Sequence, residues 1–139
     1  MSSFKRLFLI PKPVDQVFKT LSDVEEYKTF IPYCIESKII EEQNDYSIVT
    51  LNLEFFGIQT SFTTKNIVKK NESIEMDLVE GPFEEFKSSW RLEKIDQQTT
   101  NLIFEMSYQM RNKILEMAFK NNLKTVSESI VRAFKSRLD

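Results

Sequence analysis

The sequence predicts an α+β fold: a curved antiparallel sheet of about six or seven strands, two short helices after the first strand, and a long C-terminal helix against the sheet. Three observations carry this. Between Tyr33 and Leu92, β-rich runs alternate with turn signals at Gln43-Asn44-Asp45, Phe56-Gly57, Lys70-Asn71-Glu72 and Glu80-Gly81-Pro82, the spacing of consecutive hairpins. After Asp96-Gln97-Gln98, the residues Leu102, Phe104, Met106, Tyr108 and Met110 alternate with Ile103, Glu105, Ser107 and Gln109, a strand with one apolar face. From about Asn112 the period becomes helical, with Leu115, Phe119, Leu123, Val126, Ile130, Phe134 and Leu138 recurring every three or four residues.

The opening strand holds Phe4, Arg6, Phe8 and Ile10 on one face and Lys5, Leu7 and Leu9 on the other, and Pro11 and Pro13 end it. Pro13 is placed as the first residue of a helix whose apolar stripe is Val14, Val17, Phe18 and Leu21. Asp23 is expected to cap a second short helix through Phe30, with Glu26 closing a capping box and Pro32 stopping the helix. In the hairpin region, Ile58, Thr60, Phe62 and Thr64 share a face, as do Ile74, Met76 and Leu78, and Phe86, Ser88, Trp90 and Leu92. The last helix, read as about 26 uninterrupted residues, would be a rod of roughly 39 Å. A strongly curved sheet and one helix need not fill the space between them, and that gap is the expected pocket.

The chain has 139 residues and 41% hydrophobic content, which suits one core and one domain spanning 1–139. No run approaches the roughly 18 apolar residues of a membrane span. The N-terminus lacks the apolar block of a secretory signal, so a cytoplasmic location is expected, with peripheral contact at the inner membrane. Cys34 is the only cysteine, so the chain can form no intrachain disulfide. Histidine is absent, which removes the usual general base and every histidine-based triad or zinc site. Two glycines, Gly57 and Gly81, cannot build a Walker loop or a dinucleotide fingerprint. Nineteen basic residues against 21 acidic ones give a net charge of -2, which offers no support for DNA binding. Lys120, Lys124, Arg132, Lys135 and Arg137 form a local basic run of the kind that is usually a solvated helix face.

Two segments carry a family resemblance that spans nearly the whole chain. Tyr27-Lys28-Thr29-Phe30-Ile31-Pro32-Tyr33-Cys34 resembles a Tyr-Pro-x-Phe-Leu-Pro-Trp-Cys motif, and Gly81-Pro82-Phe83 with Phe86 and Trp90 resembles Gly-Pro-Phe-x-x-Leu-x-x-x-Trp. Both belong to the START-like, polyketide-cyclase-type domains that include coenzyme Q-binding proteins and bacterial ribosome-association toxins. Lys28, Tyr33 and Lys113 depart from the family's pattern. The resemblance implies a helix-grip fold enclosing a hydrophobic cavity, and a role in binding ubiquinone or a related isoprenoid lipid in support of respiration.

Candidate ligand contacts on the strands are Phe62, Met76, Leu78, Phe86, Trp90, Phe104, Met106 and Tyr108. Leu115, Phe119, Leu123 and Val126 face them from the helix, and Phe30, Tyr33 and Phe83 come from apolar loops read as a lid or mouth. The plain alternative for each is ordinary core packing. Tyr108, Trp90, Ser88 and Thr64 are the polar-tipped residues able to hydrogen-bond a quinone head. Cys34, with no histidine to pair with, reads as a small buried apolar residue, and Glu41-Glu42 and Glu84-Glu85 as solvated charges. The leading expectation is a non-catalytic module for a hydrophobic small molecule or lipid, with no cofactor beyond ubiquinone or a similar lipid as ligand. The alternatives are a protein that docks on the large ribosomal subunit and inhibits translation initiation, and a cyclase using the same cavity.

Overall fold

In the computed structural model, which describes residues 2–55, 57–119 and 123–139, alternation in the sequence becomes seven strands. They are β1 (Ser2–Ile10), β2 (Cys34–Glu42), β3 (Tyr46–Phe55), β4 (Ile58–Lys69), β5 (Ser73–Glu80), β6 (Phe83–Asp96) and β7 (Thr99–Met110). Short hairpin connections force neighbours antiparallel, and the sheet order is β1-β7-β6-β5-β4-β3-β2. Only β1 leaves sequence order, crossing to pair with β7 in an unbroken register from Ser2↔Tyr108 to Ile10↔Thr100.

Antiparallel partners share a sheet face, so the register defines the concave side. Phe4↔Met106↔Ser88↔Met76 form one row across it, and Phe8↔Leu102↔Leu92 another. Each row is built from the alternating positions that the sequence marks as apolar.

Helix α1 (Val14–Ser22) buries Val17 and Leu21. Pro13 serves as its N-cap at φ -60 and ψ 150 and is not its first residue, and the amides of Gln16 and Val17 donate to the Pro13 carbonyl. The expected capping box does not form. Asp23, at φ -83 and ψ 66, closes α1 by donating its backbone N–H to the Lys19 carbonyl, and its side chain caps nothing. A single 3₁₀ turn (Val24–Glu26) follows, then the one-turn helix α2 (Tyr27–Phe30). The C-terminal helical pattern is described as α3 (Lys113–Phe119) and α4 (Leu123–Leu138), with residues 120–122 outside the described set. The side chains of Leu115, Phe119 and Leu123, expected to face the pocket, also lie outside the description.

Phe134 on α4 is the hub of the core. Its ring stands edge-on to Tyr27 at 5.0 Å, Phe30 at 5.4 Å and Trp90 at 5.0 Å, joining α2 and β6 through one side chain. Trp90 in turn lies 4.6 Å from Phe104. Ile10, Val17, Leu21, Leu102, Val131 and Leu138 close the same cluster and are essentially inaccessible.

The Tyr27 hydroxyl donates to the Leu21 carbonyl, tying α2 back to α1. Burial above all, with the charge of Asp23, pushes its pKa well above the ordinary 10.0. The folded state therefore holds the phenolic proton more tightly than the unfolded chain. The stability this contributes is complete below about pH 10 and declines as pH rises beyond it. Urea unfolding between pH 8 and pH 11 should show this decline, and Tyr27→Phe should flatten it while costing about 1 kcal/mol at neutral pH. Equal alkaline slopes in the two proteins would count against the assignment.

Candidate hydrophobic ligand site

Where the sheet meets the start of α3, a second apolar group forms on the concave face. Phe62 lies 4.8 Å from Phe86 and 5.4 Å from Phe83, Phe83 lies 5.1 Å from Phe86, and Tyr108 lies 6.0 Å from Phe83. All four rings are half-buried, whereas Trp90 and Phe104 beside them are buried at 3% and 8% exposure. Met110 and Val126 form the floor, with Tyr33, Leu53 and Ile130 packed around it.

A β-bulge puts Phe83 and Phe86 together. Residues three apart on a regular strand would point to opposite faces. Phe83 pairs with Met110 and Glu85 with Gln109, so Glu84 is an extra residue and both phenylalanines turn inward. Gly81 brings the third ring in: a Cβ there would sit 2.9 Å from Cδ2 of Phe62, so only glycine leaves that ring its place.

Tyr33 reaches this group through a sharp turn. The Cys34 amide donates to the Ile31 carbonyl, Pro32 takes the second position, and Tyr33 takes the third at φ +70. That left-handed geometry is one glycine or asparagine usually fills, and holding a tyrosine there costs on the order of 1–2 kcal/mol. The Glu54 amide fixes the turn by donating to the Tyr33 carbonyl.

The structure thus divides the sequence-predicted residues. Phe62, Phe83, Phe86, Tyr108 and Tyr33 come together as a partly open group. Met76, Met106 and Phe30 are half-buried at the edge of the main core, while Trp90 and Phe104 lie inside it. Leu78 is half-buried on β5, opposite Thr64. Phe83 belongs to β6 and not to a lid loop.

Polar groups on this face are engaged with one another. Thr64 donates to Asn66 at 2.6 Å, and the Ser88 hydroxyl lies 3.7 Å from the Met76 sulfur. Asn66, buried and unremarked in the sequence, sits two residues beyond Thr64 on the same face, so strict alternation identifies it. Arg6, between Phe4 and Phe8, forms an ion pair with Glu128 of α4. Its place among inward apolar positions was the signal for a partner on the helix.

Comparison with known proteins gives this geometry a family. Residues 10–135 match the family described as polyketide cyclase / dehydrase and lipid transport. The chain belongs to that family. It is 31% identical over 137 residues to the ribosome association toxin RatA of Escherichia coli K12, covering 99% of this chain and 87% of the relative. It is 25% identical to the mitochondrial coenzyme Q-binding protein COQ10 of Dictyostelium discoideum over 131 residues, covering 91% of this chain and 64% of that protein. Among solved structures, the fold matches the Zhui aromatase/cyclase from Streptomyces sp. R1128, with a TM-score of 0.76, 19% identity and coverage of 95% and 93%. A START superfamily protein from Mycobacterium smegmatis matches with a TM-score of 0.82, 16% identity and coverage of 98% and 96%. The seven-stranded curved sheet with its C-terminal helix is the helix-grip fold expected from the two sequence motifs.

In this family member Cys34 is buried, and burial pushes its thiol up from the ordinary value, so little thiolate is present at neutral pH. Its Sγ rests 3.4 Å from the Glu36 carbonyl.

The close approach at Gly81 gives a direct test of the aromatic group. Gly81→Ala should displace the Phe62 ring and lower stability by about 1–3 kcal/mol. Adding Phe62→Leu should recover part of that loss, as read from denaturant midpoints. Additive losses in the double variant would mean that Gly81 is needed for some other reason.

Proposed function

We propose that the chain binds a hydrophobic small molecule non-catalytically, with ubiquinone or a related isoprenoid lipid as the ligand, in support of respiratory electron transport. The supporting observation is the group of four half-buried rings, Phe62, Phe83, Phe86 and Tyr108, beside a core that is otherwise closed by Phe134. Folding alone favours full burial of such rings, so aromatic surface left open on a concave face favours a ligand. Each CH₂ of an isoprenoid tail buried there would add about 0.8 kcal/mol. The name of the Dictyostelium relative supports a quinone as the ligand. The lack of histidine and the pairing of Arg6 with Glu128 support binding without turnover. A cytoplasmic protein in peripheral contact with the inner membrane fits this role.

Organic extraction of the purified protein followed by mass spectrometry should find a quinone or isoprenoid near stoichiometric amount. Met76→Trp and Tyr108→Trp, which fill space at half-buried inward positions, should lose it while remaining folded. A protein that is empty and also refuses added quinone would overturn the reading.

The 31% identity to RatA across nearly the whole chain supports a second reading, docking on the large ribosomal subunit and blocking translation initiation. The net charge of -2 weighs against a surface dominated by phosphate contacts. Under that reading the protein should sediment with large subunits at low salt and be released as salt rises. Its absence from the large-subunit fraction at low salt would remove the ribosomal role.

A further inference from the structure

The hairpin between β5 and β6 opens before it reaches its turn. Pairing runs from Ser73↔Arg91 to Asp77↔Lys87 and stops, although β5 continues to Glu80 and β6 starts at Phe83. Continued in that register, Leu78 would face Phe86 and Val79 would face Glu85. Each strand instead follows its outer neighbour: Leu78 pairs with Thr64 and Glu80 with Thr63, while Glu85 pairs with Gln109 and Phe86 with Tyr108.

Two bulges cause the split. Val79 is the extra residue of β5 against β4, and Glu84 is the extra residue of β6 against β7. A bulge bends its strand, and these two lie on either side of the Gly81-Pro82 turn, each on the side away from the gap. The Arg111 amide, donating to the Pro82 carbonyl at 3.0 Å, ties the turn to the end of β7.

The split holds a cleft of about 530 Å³ lined by Asp77, Leu78, Glu84, Glu85, Phe86, Lys87 and Ser107. It begins on the convex surface, where Asp77, Lys87 and Ser107 lie in one cross-strand row, and its inner wall is Leu78 and Phe86. Phe86 is in ring contact with Phe62 and Phe83, so a single side chain separates the cleft from the half-buried aromatic group.

We propose that the β5–β6 split is the portal through which the ligand's apolar tail reaches the concave face, with the polar head left at the outer rim. This rests on the ligand-binding reading above and adds a route and a head-group class. Three carboxylates, Asp77, Glu84 and Glu85, stand at the rim against one ammonium, Lys87. Such a rim repels fatty-acid carboxylates and phosphates and accepts an uncharged head such as a quinone ring. Backbone from 78 to 80 and from 84 to 86, unpaired across the gap, supplies amides and carbonyls for that head.

Trp90, the only tryptophan, provides the readout, because a quinone arriving nearby quenches its fluorescence. Stopped-flow mixing would use a ubiquinone with a two-isoprene tail. The protein would be Val79→Cys/Glu85→Cys bridged by a short bismaleimide, with the same variant singly blocked as control. Bridging should slow association about tenfold or more relative to the singly blocked protein. Ser107→Trp, which fills the rim without a cross-link, should also slow it. A nitroxide-labelled fatty acid of matched length, which also quenches Trp90, should enter more slowly than the quinone, and Glu84→Lys/Glu85→Lys should narrow that difference. Unchanged association rates in both the bridged protein and Ser107→Trp, with binding intact, would overturn the portal alone. Fatty acid entering the unmodified protein as fast as quinone would overturn the head-group assignment. Failure of the unmodified protein to bind any quinone would instead overturn the ligand reading on which the portal rests.

Discussion

Curvature of the sheet is the constraint on which the rest of the molecule depends. Seven strands in a flat sheet would offer α1 and α4 a plane, with little room to enclose Phe134 between Trp90 of β6 and Tyr27 and Phe30 of α2. Single-residue bulges supply the bend, at Ile35 and Ile40 in β2, Val79 in β5, and Glu84 and Ile95 in β6. They account for a surface feature that is otherwise hard to explain. Ile35, Ile40, Val79 and Ile95 are exposed by 49%, 62%, 55% and 57% although each is β-branched and apolar. A bulge residue has no cross-strand partner and is pushed out of the pleat, so its exposure follows from its backbone position and not from its hydrophobicity.

Bulges also mark the limit of what the sequence disclosed. Strand identity and the apolar face were legible because residues two apart on a strand share a face, as in the run from Leu102 to Met110, and the turn signals gave the hairpins. The return of β1 to pair with β7 was not legible. The family motifs pointed to the helix-grip fold. The bulges were not legible, since an isoleucine in a bulge has the same side chain as an isoleucine in register, and only pairing with a neighbour tells them apart. Phe83 was therefore read as part of a loop, while the structure places it on β6 beside Phe86. The Asp23 capping box failed for a related reason. The motif Asp-x-x-Glu was present, but the Asp23 backbone was already committed to ending α1. Local signals are overridden where two elements compete for one residue.

The aromatic residues divide into two roles that composition could not separate. Phe134, Trp90, Phe104, Tyr27 and Phe30 form a connected set of ring contacts that holds helices to sheet. Phe62, Phe83, Phe86 and Tyr108 form the other set and contribute less to closure, because water or a ligand reaches part of each ring. The strained Tyr33 turn lies against this second set. Backbone strain of this kind persists only where the surrounding fold over-determines it, as the Glu54 amide does for the Tyr33 carbonyl.

The fold hosts aromatase/cyclases as well as proteins named for coenzyme Q or the ribosome, so architecture alone does not choose among them. In this chain the inward polar groups already have partners. Thr64 is engaged with Asn66, Ser88 rests against Met76, and Arg6 is paired with Glu128. Diverting Thr64, Asn66 or Ser88 to a substrate would break an existing interaction at a buried position, where an unpaired group is costly. On the ligand-binding reading, the concave face favours guests that ask little of it beyond apolar contact, and discrimination by head group would fall to the acidic rim on the convex side.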